Sequence, residues 1–209
     1  MTTNVTVTRE QLVDLSACQG GLDWFDALAV GGSVTLDWTP ETQVNFIRHM
    51  GFHQWYGWAV HHHLIPGWGM CGVDMERAEL YYADFEGAQL ASANFRGAML
   101  KEGNFRRACL VRANLRHANL CNTVCDGADF DESCLASVYA AHASFEGASF
   151  IGANLSGINL FNASLNRANL EFTNLSGAIL TCASMKGATY NSCTVWPKDF
   201  DYELATKGA

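Results

Sequence analysis

Little in this chain of 209 residues marks it for export, for a membrane or for a known catalytic apparatus. The opening MTTNVTVTRE has no basic stretch followed by an apolar one, and no run approaches the ~18 uncharged apolar residues of a membrane span. A soluble, cytoplasmic protein is expected. The eight cysteines (Cys18, Cys71, Cys109, Cys121, Cys125, Cys134, Cys182, Cys193) include no C-x-x-C pair, which removes the usual disulfide and redox frameworks and leaves reduced, small core residues as the expectation. Proline occurs only at Pro40, Pro66 and Pro197. Basic residues are in the minority, 13 against 21 acids, and the net charge of −8 argues against general nucleic-acid affinity while suiting solubility or a basic partner. No HExxH, nucleophile elbow, Walker loop or dinucleotide glycine fingerprint is present, so neither an enzyme nor a cofactor is expected.

What the chain has in quantity is a five-residue interval. From Met75 to Tyr190 every fifth residue is a centre, giving 24 consecutive units with no insertion, and Leu or Phe fills 19 of them. Two residues earlier Ala occupies 17 of the 24 positions, as at Ala78, Ala83, Ala88 and Ala93. A helix would repeat its apolar face at about 3.6 residues and a strand at 2, so neither accounts for five. An inward pair two residues apart is instead a very short strand, and the three-residue gap to the next pair must hold a turn. The turning positions are rich in Gly, Ser, Asn and Arg (Gly87, Gly97, Gly127, Gly147, Gly152), as corners require. One side and one corner, repeated, wind into a solenoid lined by Ala and Leu or Phe.

The motif A-[DN]-[LF]-x-x, in register over about 120 residues, resembles the pentapeptide-repeat family. The resemblance implies an all-β solenoid, a right-handed quadrilateral β-helix with four units per coil. Residues 20 apart would then stack, and about six coils at about 4.8 Å each would stand on the order of 29 Å tall. One group of the family binds type II topoisomerases, chiefly DNA gyrase, by resembling a DNA duplex, and protects them from antibiotics. Other members have no known activity, which leaves a scaffold role for a different protein partner open.

The chain divides into a segment over 1–70, the repeats over 71–193 and a tail over 194–209. Five of the six tryptophans fall in the first segment. Thr8 and Gln11 form a capping box that starts a helix, a second helix is expected over 22–29, Thr39-Pro40 opens a third, and residues 52–65 a fourth, closed by Pro66-Gly67. Together they suggest a small helical subdomain over the first coil, with Trp24, Phe25, Trp38, Phe46, Trp55 and Trp58 as its own core. His49 and His53 lie four apart and His61, His62 and His63 follow, a spacing open to a metal ion but better explained by surface or capping roles. In the tail, Trp196, Phe200, Tyr202 and Leu204 are apolar and Pro197 ends strand pairing. They resemble the family's C-terminal caps, which in some members also form the dimer contact.

Inside the repeats, irregular units keep their volume: Val138 and Ala140 exchange the usual small and large positions around Tyr139, Ile158 replaces Ala twenty residues later, and Cys125 follows Thr123. Outward positions carry the candidate interaction surface. Glu76, Glu79, Asp84 and Glu86 are acidic; Arg96, Lys101, Arg106, Arg107, Arg112 and Arg116 form a basic band; Asp126, Asp129, Asp131 and Glu132 restore acidity. With four units per coil, Glu86, Arg106 and Asp126 would stack as an alternating ladder, while Arg96 over Arg116 would be a like-charge pair. Those four carboxylates could in principle serve acid–base chemistry, but a convex rod gives no cleft to tune them. Direct nucleic-acid binding through the basic band is the lesser reading. Ile151, Phe161 and Phe172 are apolar at outward positions, Ile151 and Phe172 on successive coils, and offer a docking patch.

Overall fold

Each pentapeptide puts two side chains in, one out and two at a bend, and the backbone hydrogen bonds follow from that order. The structure is a computed structural model and describes residues 3–14, 33–38 and 70–207. From Asp74 to Asn169 the outward residue of every unit forms a parallel bridge with the residue twenty further on, and a 21st bridge, Asn174 to Val195, closes the unbroken series. Four bridged columns share each 20 residues, so the coil has four walls. We number them by their first outward residue: wall I from Asp74, wall II from Glu79, wall III from Asp84 and wall IV from Gln89.

The bonding repeats with little variation. A centre donates its N–H up one coil, as Phe85 does to Asn104 at 2.7 Å, and the outward residue donates down, as Asn94 does to Val73 at 2.8 Å. The second corner residue also donates up, as Gly87 does to Arg106 at 2.8 Å, and the next inward residue closes the turn, Ala88 to Phe85 at 3.0 Å. That geometry needs a left-handed corner. Nine glycines occupy such positions, but so do Tyr82 (φ 59°) and Phe172 (φ 58°), for which the conformation costs roughly 1–2 kcal/mol.

The axis is filled with side chains. Leu115, Leu155 and Leu165 are fully buried, as are Val138, Ala140 and Ile158, so the volume exchange is real. Burial of each Leu or Phe contributes about 1.5–3 kcal/mol before ordering entropy is subtracted. Phenylalanines cluster in two places: Phe85 stacks on Phe105 at 5.0 Å with Phe95 edge-on at 6.0 Å, and Phe130 stacks on Phe150 at 5.1 Å with Phe145 edge-on at 5.9 Å. The expectation for cysteine needs correcting. Among the described cysteines only Cys125 is buried; Cys71, Cys182 and Cys193 are exposed, and Cys109, Cys121 and Cys134 are intermediate, because they occupy corners and outward positions of the repeat.

At the C-terminal end the register slips by one residue. Asn174 bridges Val195, 21 residues on, and Leu175 donates to Val195 at 2.7 Å. Beyond it Trp196 stacks on Tyr202 at 5.2 Å and on Phe200 at 5.7 Å, with Tyr190 edge-on to Trp196 and Tyr202. A short helix over Tyr202–Lys207 completes this cap, and the Thr206 carbonyl accepts from Gly187 at 3.0 Å in place of a further coil.

Near the N-terminus, β1 (Thr3–Thr8) pairs antiparallel with β2 (Ser33–Trp38), Val5 opposite Leu36, and α1 (Arg9–Asp14) follows β1. The capping box forms as expected: Gln11 N–H donates to Thr8 Oγ1 at 3.2 Å and Thr8 N–H to Gln11 Oε1 at 2.8 Å. The two strands were not expected, and Trp38 lies in one of them. Their Thr and Val alternation, TNVTVT and SVTLDW, favours an extended chain. The helices expected at 22–29, after residue 39 and across 52–65, with Trp24, Phe25, Phe46, Trp55, Trp58, the histidines from 49 to 63 and Cys18, lie outside the described residues.

Candidate interaction surface

The outward positions are fixed by the coil, so folding the sequence at twenty residues per turn decides which charges meet. Arg96 reaches down to Glu76, Nη1 to Oε1 3.2 Å, rather than standing over Arg116 as half of a like-charge pair. Arg106 Nε lies 3.7 Å from Asp126 Oδ2, which realises the upper half of the expected ladder. In the lower half Glu86 Oε2 instead accepts from Asn104 Nδ2 at 3.1 Å. Arg112 Nε meets Glu132 Oε2 at 2.7 Å, and that hydrogen bond, with the charge of Glu132, raises the guanidinium above its ordinary pKa. Exposed pairs of this kind contribute little to stability, because solvent screens them. Within the basic band, Arg107 and Arg116 have no carboxylate at ion-pair distance among the described residues.

The four acids of the middle coils are also committed to the rod. Asp126 accepts from the Ser144 hydroxyl and from Glu146 N–H, and Asp131 from the Ser149 hydroxyl and from Ile151 N–H. Asp129 Oδ1 accepts from Asp131 N–H at 3.0 Å. These three aspartates cap backbone donors of their own or the next coil, while Glu132 is held by Arg112. Among the described residues no group of three His, Cys, Asp or Glu could hold a metal ion.

Around the circumference, charge and apolar surface separate. Residues 136–142, 156–162 and 176–182, which make wall II and its two corners in the last three coils, contain no Asp, Glu, Lys or Arg. The acids from Asp126 to Glu171 and the bases Arg167 and Lys186 all lie on the walls III and IV side, to the corner beyond. On the uncharged side Tyr139 is 60%, Ile179 48% and Phe161 40% exposed, and Tyr139, Asn159 and Ile179 share one bridged column. His142 meets Phe161 edge-on at 5.6 Å and contacts Asn162 Nδ2 at 3.0 Å.

Of the expected apolar patch, Phe161 belongs to this side. Ile151, half-buried, and Phe172, 55% exposed, lie at the corner between walls IV and I. Tyr139 and Ile179 were missed as surface residues, although their numbers, 40 apart, would have placed them on one column once the coil length was in hand. Of the cap, Trp196, Phe200 and Tyr202 are half-buried and stack on one another, with much of their ring surface already used.

The family model described as pentapeptide repeats matches in 8 copies that together run from residue 72 to residue 189. None of the curated proteins matches the chain. Among solved structures, a pentapeptide repeat protein from Nostoc Pcc 7120, alr5209, is 33% identical over 48% of this chain and 82% of its own, with a TM-score of 0.47. HetL, a pentapeptide repeat protein involved in heterocyst differentiation regulation in the cyanobacterium Nostoc sp. strain PCC 7120, is 23% identical over 65% and 79%, with a TM-score of 0.34. QnrB1, a plasmid-mediated fluoroquinolone resistance protein, is 19% identical over 58% and 85%, with a TM-score of 0.32. No helix among the described residues is long and apolar enough to cross a membrane.

Proposed function

Since the chain belongs to the pentapeptide-repeat family, we propose that it is a non-catalytic rod, wound right-handed, whose task is to bind another protein. The observation that carries this reading is the uncharged side with Tyr139, Phe161 and Ile179 held exposed on a rigid backbone. Exposed aromatics in a region without charge suit a protein contact better than solvent. The specific partner we propose is a cytoplasmic type II topoisomerase, DNA gyrase or topoisomerase IV, with protection of that enzyme from antibiotics as the consequence. The acids at Asp126, Asp129, Asp131 and Glu132 support it. The uncharged side favours a second reading, a scaffold for a partner whose surface is apolar. Direct nucleic-acid binding gains little, because Arg96, Arg106 and Arg112 are paired within the rod and only Arg107 and Arg116 of that band's arginines remain without ion partners among the described residues.

Supercoiling by gyrase and relaxation by topoisomerase IV, with and without a fluoroquinolone, separate the readings. If the protein neither inhibits nor protects either enzyme, the topoisomerase reading is lost. If it protects, Tyr139→Ala with Phe161→Ala should weaken protection at least tenfold should wall II carry the contact, an effect of about 1.4 kcal/mol. A dimer through the cap is the corresponding proposal for oligomeric state: Phe200→Glu with Tyr202→Glu should then halve the mass in light scattering.

A further inference from the structure

The hydrogen bonds between coils stop short at the C-terminal end, over the whole of walls II and III and at Tyr190 N–H and the Ala188 carbonyl on wall IV. One coil below the end, Leu160 donates to Ile179 at 2.9 Å, Asn162 to Thr181 at 3.0 Å and Leu165 to Ser184 at 2.7 Å, while the carbonyls of Ile158 and Ala163 accept from Ile179 and Ser184. In the last coil the matching N–H groups of Gly177, Leu180, Cys182 and Met185 and the matching carbonyls of Ala178 and Ala183 have no hydrogen-bond partner among the described residues. On either side of this stretch the cap does bond to the last coil. Leu175 and Thr173 bond to Val195, Phe172 N–H reaches Asn191 Oδ1 at 3.2 Å, and Gly187 bonds to Thr206. The cap therefore brackets a nine-residue edge, residues 177–185 of walls II and III, and leaves it open.

This edge is reachable. Thr181, Cys182 and Ser184 are exposed, and Leu180 is 7% exposed where Leu160 beneath it is 0%. The order of free groups, N–H, C=O, N–H, N–H, C=O, N–H, is the one that every lower coil satisfies with a parallel chain above it. An open row of this kind is a template for strand addition.

We propose that residues 177–185 accept an extended segment of a partner protein as a parallel added strand. The chemistry of the occupant follows from what lies beneath it. Aliphatic side chains no larger than the Ile158 and Ala163 of the coil below must stand over Ala178 and Ala183, and larger apolar ones over Leu180 and Met185, five residues apart. Its outward residues must be neutral, since none of the nine edge residues carries charge. A basic residue flanking it suits the exposed Asp199 of the adjoining cap. The inference goes beyond the binding role proposed above, because it concerns the end of the rod rather than its side.

Amide hydrogen exchange on the full-length protein tests it. The probe is a synthetic peptide copying residues 157–165 with lysines added at both ends. In the free protein the amides of Gly177, Leu180, Cys182 and Met185 should exchange within about tenfold of unstructured rates, and those of Leu160, Asn162 and Leu165 at least about 100-fold more slowly. The peptide should slow the first group at least about tenfold, and the same peptide N-methylated at its pairing residues should not. Edge amides already protected in the dilute free protein would overturn the proposal, as would no change at millimolar peptide. Protection that grows with protein concentration alongside a doubled mass would assign the edge to a second copy and also overturn it. None of these outcomes depends on topoisomerase binding, so the two proposals fail separately.

Discussion

Gly103 shows how tightly the axis is filled. It stands where 17 of the 24 units have Ala, and its φ is not positive, so backbone freedom does not explain it. A Cβ there would meet the Leu100 carbonyl oxygen at 3.0 Å, Phe105 Cε2 at 3.1 Å and the Ala83 carbonyl oxygen at 3.2 Å. The stacked pair of Phe85 and Phe105 has taken the space of the methyl group. Gly103→Ala should cost about 1–3 kcal/mol in urea denaturation, as overpacking does. By contrast Gly87→Asn, at a corner with nothing within 4 Å and a conformation that Asn122 and Asn162 already adopt, should change stability by less than about 0.5 kcal/mol. Cys125 gives a second test. Burial pushes its thiol up to about 12, against a lesser pull downward from Thr123. An unfolded cysteine titrates near 8.5, so this contribution to stability is complete below about pH 8.5 and is lost as pH rises toward 12. At pH 8, iodoacetamide should label Cys71, Cys182 and Cys193 in the native protein and reach Cys125 only after denaturant is added, as read by mass spectrometry.

The wall and corner make an element that can be removed in whole numbers. Deleting twenty residues within the repeats leaves every later residue on its column, whereas deleting five keeps the inward pattern but turns everything after the cut by a quarter. Deletion of 111–130 should therefore preserve both circular dichroism and the binding surface of the last three coils. Deletion of 126–130 should preserve the fold at a cost in stability and lose any contact that spans the cut. Deletion of one residue should do neither, because it moves the inward side chains outward. The same arithmetic explains what could be read in advance. Period five reports the local path directly, so the inward Ala and Leu or Phe positions were legible from sequence. Which columns meet depends on the number of walls, which no pentapeptide encodes; the Arg96 to Glu76 pair and the uncharged side of Tyr139 and Ile179 became visible only at twenty. β1 and β2 were hidden differently. Six residues of alternating Val and Thr are a weak signal beside a strong helix cap at Thr8. The open edge arises from the slip before Val195 and the position of Thr206, and nothing local in residues 177–185 announces it.

At the scale of the whole molecule, the backbone bonds of the described repeats run between a coil and its neighbours, while the surface is organised around the circumference. These two properties are independent. A quarter of the side can change its chemistry along its full length without touching the axis, which is how walls III and IV carry the charges of the last three coils and wall II none. The paired residues at the corners have the same freedom: Arg107 lies beneath Gly127 and Arg167 beneath Gly187, long stems resting where the next corner has no side chain.

The axial direction of the bonds has a mechanical consequence. Pulled from its two ends, the repeat region must open like a zipper, one row of bonds at a time, since no contact shares the load across several coils. Each turn that peels away releases 20 residues, about 66–72 Å of chain, in exchange for about 4.8 Å of height. Loaded sideways, through a partner gripping wall II, the same bonds bear the force in parallel. The molecule is therefore weak along its length and stiff across it, and a protein holding it by the side would feel a rigid bar.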